Sequence, residues 1–220
     1  MSTRAQKKLE SRQALMDAVI TLTAHGRSFD SLSLRQVTAE AGLVPTAFYR
    51  HFDDMEQLGV AVAEQVCRDL RPLIRDARRE ATTASDSAVR ASVELFLSYV
   101  RQHEAAFQFL SHAYAGGRTA VFRAVQREVR TFVMDLADDL RLVPPFSGFP
   151  SEDVEMISNI VVQMVLSLTR DVLALPEGQA TREAELAARG IREMRFILLG
   201  ALHWNPAFGQ VPLELLRPKP

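Results

Sequence analysis

Within six positions, Thr46, Ala47, Tyr49, Arg50 and His51 bring together a hydroxyl, a methyl, a phenol, a guanidinium and an imidazole. Such a set offers donors for phosphate oxygens, groups for a base edge and a methyl surface for thymine, which is the chemistry of contact with duplex DNA. Arg35, further upstream, adds a planar fork whose paired donors match the acceptors of guanine. The same composition also suits the solvated face of an ordinary helical hairpin. The elements that carry these residues decide between the two.

Those elements are legible in the string SLSLRQVTAEAGLVPTAFYRHF, which ends at Phe52. Ser33, with Gln36 three residues on, is a capping box and starts a helix whose apolar residues Leu34, Val37 and Ala41 recur at helical spacing. Gly42 stands where that helix must stop and the chain must take a positive φ. Leu43 then plugs the angle. Pro45 fits the first turn of a second helix and drives Val44 away from helical geometry. Phe48 and Phe52, four apart, share its buried face and leave Thr46, Ala47, Tyr49, Arg50 and His51 outside. This is a helix-turn-helix, with Ser33, Arg35 and Pro45 completing the candidate DNA-binding set.

Residues 12–60 resemble the N-terminal domain of the TetR family of bacterial repressors, whose signature hairpin ends in the Tyr-x-His-Phe run matched by Tyr49, Arg50, His51 and Phe52. Within that family the string is similar to the FabR and DesT type, which represses genes of fatty-acid synthesis and desaturation and opens its recognition helix with a Pro-Thr pair, here Pro45 and Thr46. The resemblance implies an operator-binding homodimer. It also implies a long-chain acyl-CoA as effector, and a base-contacting role for Arg35.

Charge is distributed as site-specific DNA binding requires. The chain carries a formal −1, yet residues 1–52 hold seven Lys or Arg against four acids, a local +3. Phosphate attraction is thus confined to one end. The cluster Arg4, Lys7, Lys8 and Arg12 reads either as a mobile arm for phosphates or the minor groove, or as a solubilising tail. Hydrophobic residues at 47% and charged residues at 24% are those of a globular protein. No uninterrupted apolar run reaches about 20 residues and the N-terminus lacks the apolar region of a signal peptide, so neither a membrane span nor export is expected. A single cysteine, Cys67, fits a reducing cytoplasm and a core position.

Periodicity along the rest of the chain predicts an all-α protein: a helix-turn-helix domain over 1–54 and a larger ligand-binding and dimerisation domain over 55–220. A first helix over about 6–24 precedes the hairpin, and a long one from Met55 to about Ala81 leaves it. Pro72 should bend or divide that long helix, either as a plain packing kink or as the coupling between body and reading head, which no other predicted element spans. Helices over about 88–102, 119–140, 151–175 and 181–203 follow, with a short one around Phe107 and Phe109.

The body is rich in long apolar side chains. Phe96, Tyr99, Phe107, Phe109, Phe122, Phe132, Met164 and Leu168 are expected to be mostly core, with a tunnel for an acyl chain between them. Arg118 and Arg123 are the candidate contacts for the coenzyme A phosphates, or simply a solvated face. The last two helices have broad apolar faces, which read either as the centre of one core or as a four-helix dimer seam through Val161, Val165, Leu168, Met194 and Leu198. No metal spacing, P-loop or nucleophile elbow is present: His103-Glu104 starts a zinc-protease pattern that Phe107 ends. Neither enzyme activity nor a cofactor is implied. Two functions fit: an effector-responsive operator-binding repressor, or a helical fatty-acid or partner-binding protein with a structural hairpin. The Arg35, Pro45, Thr46, Tyr49 and His51 constellation favours the first.

Overall fold

The computed structural model describes residues 3–80, 86–116, 119–144, 146–176 and 178–203. Among them are nine α-helices and no strand: α1 (Arg4–Thr23), α2 (Leu34–Glu40), α3 (Pro45–Phe48), α4 (Met55–Glu80), α5 (Asp86–Gln102), α6 (Glu104–Tyr114), α7 (Thr119–Arg141), α8 (Ser151–Leu173) and α9 (Ala180–Leu202). The all-α expectation holds, with boundaries within a few residues of those predicted.

α1 starts earlier than its apolar pattern suggests. Thr3 caps it, accepting a hydrogen bond from the Gln6 amide at 3.3 Å, and the Arg, Gln and Lys residues that follow are good helix formers. Arg4, Lys7, Lys8 and Arg12 therefore stand on α1, not in an arm ahead of it. α4 likewise keeps its helical course through Pro72 and is not divided there.

The reading head and the body share one core. Leu15 and Val19 of α1, Phe29, Val37, Phe48, Phe52 and the first turns of α4 pack in one cluster with Phe109 and Ala113 of α6 and Val121, Ala124 and Val125 of α7. Phe29 meets Phe109 edge-on with ring centroids 5.8 Å apart, and the Gly26 amide donates to Gln108 Oε1 at 2.9 Å. The expectation that the long helix alone spans head and body is thus corrected, because α6 lies against α1 as well. A change of element marks the boundary at 54, while the packing runs across it.

α4 and α7 form the spine. Gly59 lets them close: a Cβ there would fall 2.5 Å from Phe29 Cε1 and 2.8 Å from Val121 Cγ2. Glu56 accepts from the Ala120 amide at 2.9 Å, placing a carboxylate at the positive end of α7. Further along, Arg71 reaches Glu128 at 2.6 Å and Asp135 at 3.3 Å, and lies 5.7 Å from the Phe132 ring. These pairs are part-buried, so solvent screens them less than surface pairs. Cys67, enclosed on α4, has its thiol pushed up to about 12, chiefly by burial and further by Glu128.

At the far end α5, α8 and α9 interlock. Gly190 of α9 admits Leu168 and Val93, and Arg101 ties the end of α5 to Glu183 at 2.6 Å and to the Leu175 carbonyl at 3.2 Å. Among the described residues α8 alone is long and apolar enough to cross a membrane, by length and composition. Here it is part of the helical body, with Val154, Ile157, Leu168 and Val172 enclosed.

Candidate nucleic-acid interface

The hairpin is built by local signals that reinforce each other. Ser33 Oγ accepts from the Gln36 amide at 3.3 Å, and the Ser33 amide donates to Gln36 Oε1 at 3.0 Å, closing the capping box. At the other end of α2, Gly42 adopts φ +65° and the Leu43 amide returns to the Thr38 carbonyl at 2.8 Å. Val44 is extended and Pro45 takes the first position of α3. α3 is a single turn, continued by turns in which the His51 and Phe52 amides both donate to the Phe48 carbonyl. Phe48 and Phe52 are enclosed with centroids 5.8 Å apart, each burying a side chain worth about 1.5–3 kcal/mol. Thr38, which the sequence does not flag, is buried too and satisfies its hydroxyl on the Arg35 carbonyl at 3.2 Å.

This frame brings all eight sequence-predicted residues onto one hairpin. Ser33, Arg35, Pro45, Thr46, Tyr49 and Arg50 are exposed, and Ala47 and His51 are half-buried. Tyr49 is 63% exposed, with its ring edge-on to Phe48 at 5.6 Å. That contact holds the ring while leaving the hydroxyl outside. His51 differs from the rest. Its Nδ1 is enclosed and takes no hydrogen bond, and its pKa lies below the ordinary histidine value, first from burial, then from the charges of Lys8, Arg12 and Arg50.

Arg12, read from the sequence only as part of the basic cluster at the N-terminus, packs directly against the recognition turn. Its guanidinium lies 4.3 Å from the centre of the Phe52 ring, and Nη1 donates to the His51 carbonyl at 3.5 Å. The available signal was its position one helical turn after Lys8 within the first helix.

The remaining candidates separate. Phe96, Tyr99, Phe107 and Phe132 belong to one cluster that also takes Leu70 of α4 and Val172 of α8, with Phe107 edge-on to both Phe96 at 6.2 Å and Tyr99 at 6.0 Å. Phe109 instead packs in the head-body core, Phe122 stands beside Tyr114, and Leu168 belongs to the α5–α9 cluster. Met164 is half-buried on α8. The expected tunnel lining is therefore split, because helical periodicity assigns an inward face without saying which neighbour fills it. Two surface depressions of about 420 Å³ lie between α1 and α4 and between α5 and α9, and none of the eight residues lines either. Arg123 is exposed on α7, and Arg118 lies outside the described residues.

Among the seam residues, Leu168 is 1% exposed and enclosed within its own chain, so a second copy has nothing there to cover. Val161, Val165, Met194 and Leu198 are half-buried. The uncovered apolar surface of α8 and α9 consists of Met156, Ile160, Phe196 and Leu199, and Phe196 is 79% exposed.

Residues 23–62 match the family model described as bacterial regulatory proteins, tetR family, and residues 86–196 match that of the tetracyclin repressor-like C-terminal domain. A TetR-family transcriptional regulator from Streptomyces coelicolor superposes with a TM-score of 0.65 at 19% identity, over 88% of this chain and 96% of that one. The fatty acid degradation regulator FadR from Bacillus halodurans superposes with a TM-score of 0.61 at 11% identity, over 89% and 97%. At such identities the likeness is one of fold. With its hairpin in one model of the family and half its length in another, the chain belongs to the TetR family of DNA-binding transcriptional regulators.

Proposed function

We propose that this chain is a homodimeric repressor of fatty-acid metabolism genes that reads a palindromic operator and changes its affinity when a long-chain acyl-CoA binds. The observation that carries the operator part is the exposed set Arg35, Thr46, Tyr49 and Arg50 on a hairpin whose first helix is capped at both ends. In this reading Arg35 and Thr46 face bases, while Tyr49 and His51 hold phosphates. Two copies joined through Ile160, Phe196 and Leu199 cover apolar surface that one chain leaves in water, and set the two recognition helices about 34–36 Å apart, one turn of DNA.

The effector part is supported by the Phe96, Tyr99, Phe107 and Phe132 cluster, by the Pro45-Thr46 pair, and by a fold neighbour that regulates fatty acid degradation. Phe107 is in ring contact with both Phe96 and Tyr99, so an acyl chain has to displace them. Each methylene it buries returns about 0.8 kcal/mol. The test begins with a duplex selected in vitro from random sequence, followed by titration with saturated and cis-unsaturated acyl-CoAs. Arg35→Ala should relax specificity at one base pair of each half-site, whereas Tyr49→Phe should weaken all sequences alike. Absence of any acyl-CoA effect, with no heat of binding, removes the lipid part and leaves the operator part. Equal losses for Arg35→Ala on selected and random DNA remove the base-reading role.

A further inference from the structure

A line of polar contacts runs from the reading head to the far corner of the body, and none of its members lies on α4. It starts at Gly26, in the turn after α1, whose amide donates to Gln108 Oε1 at 2.9 Å. Gln108 Nε2 donates to Glu104 Oε1 at 3.0 Å, and the other oxygen of Glu104 accepts from Arg101 Nη1 at 3.4 Å. Arg101 closes the line: Nε donates at 2.9 Å to Glu183 Oε1 in the first turn of α9, and Nη2 at 3.2 Å to the Leu175 carbonyl just past the end of α8. The polarities match at every link. An ionised carboxylate only accepts, so Glu104 selects the amide nitrogen of Gln108 and turns its oxygen toward the Gly26 donor. The Arg101 fork directs its nitrogens to partners on α6, on α9 and after α8, a geometry that the point charge of a lysine cannot copy.

We propose that Arg101 is a positioning residue for the reading head: through Glu104 and Gln108 it ties the turn after α1 to the corner where α8 passes into α9. Those two helices are the ones through which two copies join, so the line sets each head against the seam and thereby against the other head. This consequence rests on the homodimeric operator-reading proposal above, whereas the line itself stands within a single chain. Apolar packing alone, such as Phe29 against Phe109, is non-directional and tolerates sliding between head and α6. Hydrogen bonds are directional, and a chain of them with a cation at one end is strengthened by mutual polarisation. Cutting one link therefore loosens the next. Without Arg101 the Glu104 carboxylate is free to turn to water, the Gln108 amide is no longer oriented, and the exposed Gly26 amide loses its acceptor. Heads that can shift accept half-site spacings that a stiff pair rejects, since one added base pair displaces a half-site by about 3.4 Å.

Amide exchange of the full chain labelled with 15N-glycine reads the head end of the line, because only 10 glycines contribute signals. Gln108→Leu should speed exchange of the Gly26 amide directly, and Arg101→Met should speed it by about fivefold or more from the opposite end. In the Arg101→Met, Gln108→Leu double variant nothing further is gained, because the line is already cut; a merely destabilised body would speed exchange again by the same factor. Should Arg101→Met fail to fold, Arg101→Lys, which keeps the charge and lacks the fork, must show the same pattern. The second arm uses a selected duplex and copies one base pair longer or shorter between half-sites. Wild type should favour the selected spacing, and Arg101→Met should lose about fivefold or more of that preference. Gly26 exchange that is unchanged in the Arg101 variant, or accelerated equally with and without Gln108, overturns the line. Altered exchange with the spacing preference intact overturns the positioning role and leaves operator reading untouched. A wild-type chain that binds no duplex removes operator reading and the positioning role with it, while Gly26 exchange still decides the line.

Discussion

A single methyl group at Gly59 should measure how tightly head and body are joined. In Gly59→Ala the new carbon would stand 2.5 and 2.8 Å from two atoms of the Phe29 ring and 2.8 Å from Val121 Cγ2. Comfortable carbon contacts begin near about 3.5 Å, so ring and valine must each retreat by roughly 0.7–1 Å. Neither has room: Phe29 is buried in a T-shaped contact with Phe109, and Val121 is fully enclosed. Overpacking of a well-filled core costs about 1–3 kcal/mol, against which the better helix propensity of alanine returns up to about 1 kcal/mol. The net expectation is a loss of about 1–2 kcal/mol, or roughly 2–8 °C in melting temperature for a chain of this size. Thermal unfolding by circular dichroism or calorimetry measures it. The contact also predicts non-additivity. Phe29→Leu vacates part of the space, so the double variant should be less destabilised than the two single effects together. A Gly59→Ala protein that melts at or above the wild-type temperature, or strict additivity with Phe29→Leu, would refute the reasoning.

Ser33→Ala removes the acceptor of the capping box and should cost about 0.5–2 kcal/mol in thermal unfolding, while Ser33→Thr should restore most of it. Cys67 should resist alkylation at pH 8 in the native chain and react once denaturant is added, since its thiol is held as high as about 12; rapid native labelling would contradict the burial. The same shift makes stability fully present below the unfolded thiol pKa and lost as pH rises toward the folded one, which denaturant titrations above pH 8.5 or so can follow. Ile160→Glu combined with Phe196→Glu should give a folded monomer by light scattering that no longer binds a selected duplex, and a persistent dimer would move the seam elsewhere.

The hairpin was readable from sequence because each of its devices is local. A capping box, a positive-φ glycine and a first-turn proline act within a few residues of their own positions, and Ser33, Gly42 and Pro45 are found doing so. The exposed recognition set follows once Phe48 and Phe52 are assigned to the core. What stayed hidden depends on distant neighbours. Nothing near Phe109 announces that it packs against Phe29, and nothing near Gly59 distinguishes it from a helix-weakening residue. The broad apolar faces of α8 and α9 were visible, but breadth could not tell Leu168, enclosed by Val93 and Ile191, from Phe196, left in solvent. Arg12 was read only as one of a basic terminal cluster for a related reason, since its partners Phe52 and His51 lie far from it in sequence.

The shared core under α6 bears on how such proteins can be recombined. Exchanging reading heads between family members at the loop before α4 would cut through a contact surface, pairing a foreign Phe29 position with a resident Phe109 and leaving Gly26 opposite a side chain other than its Gln108. A head transplanted with the facing side of α6 and the first turns of α7 keeps those partners. In this chain, then, the exchangeable unit is a patch of surface drawn from three separate stretches of sequence.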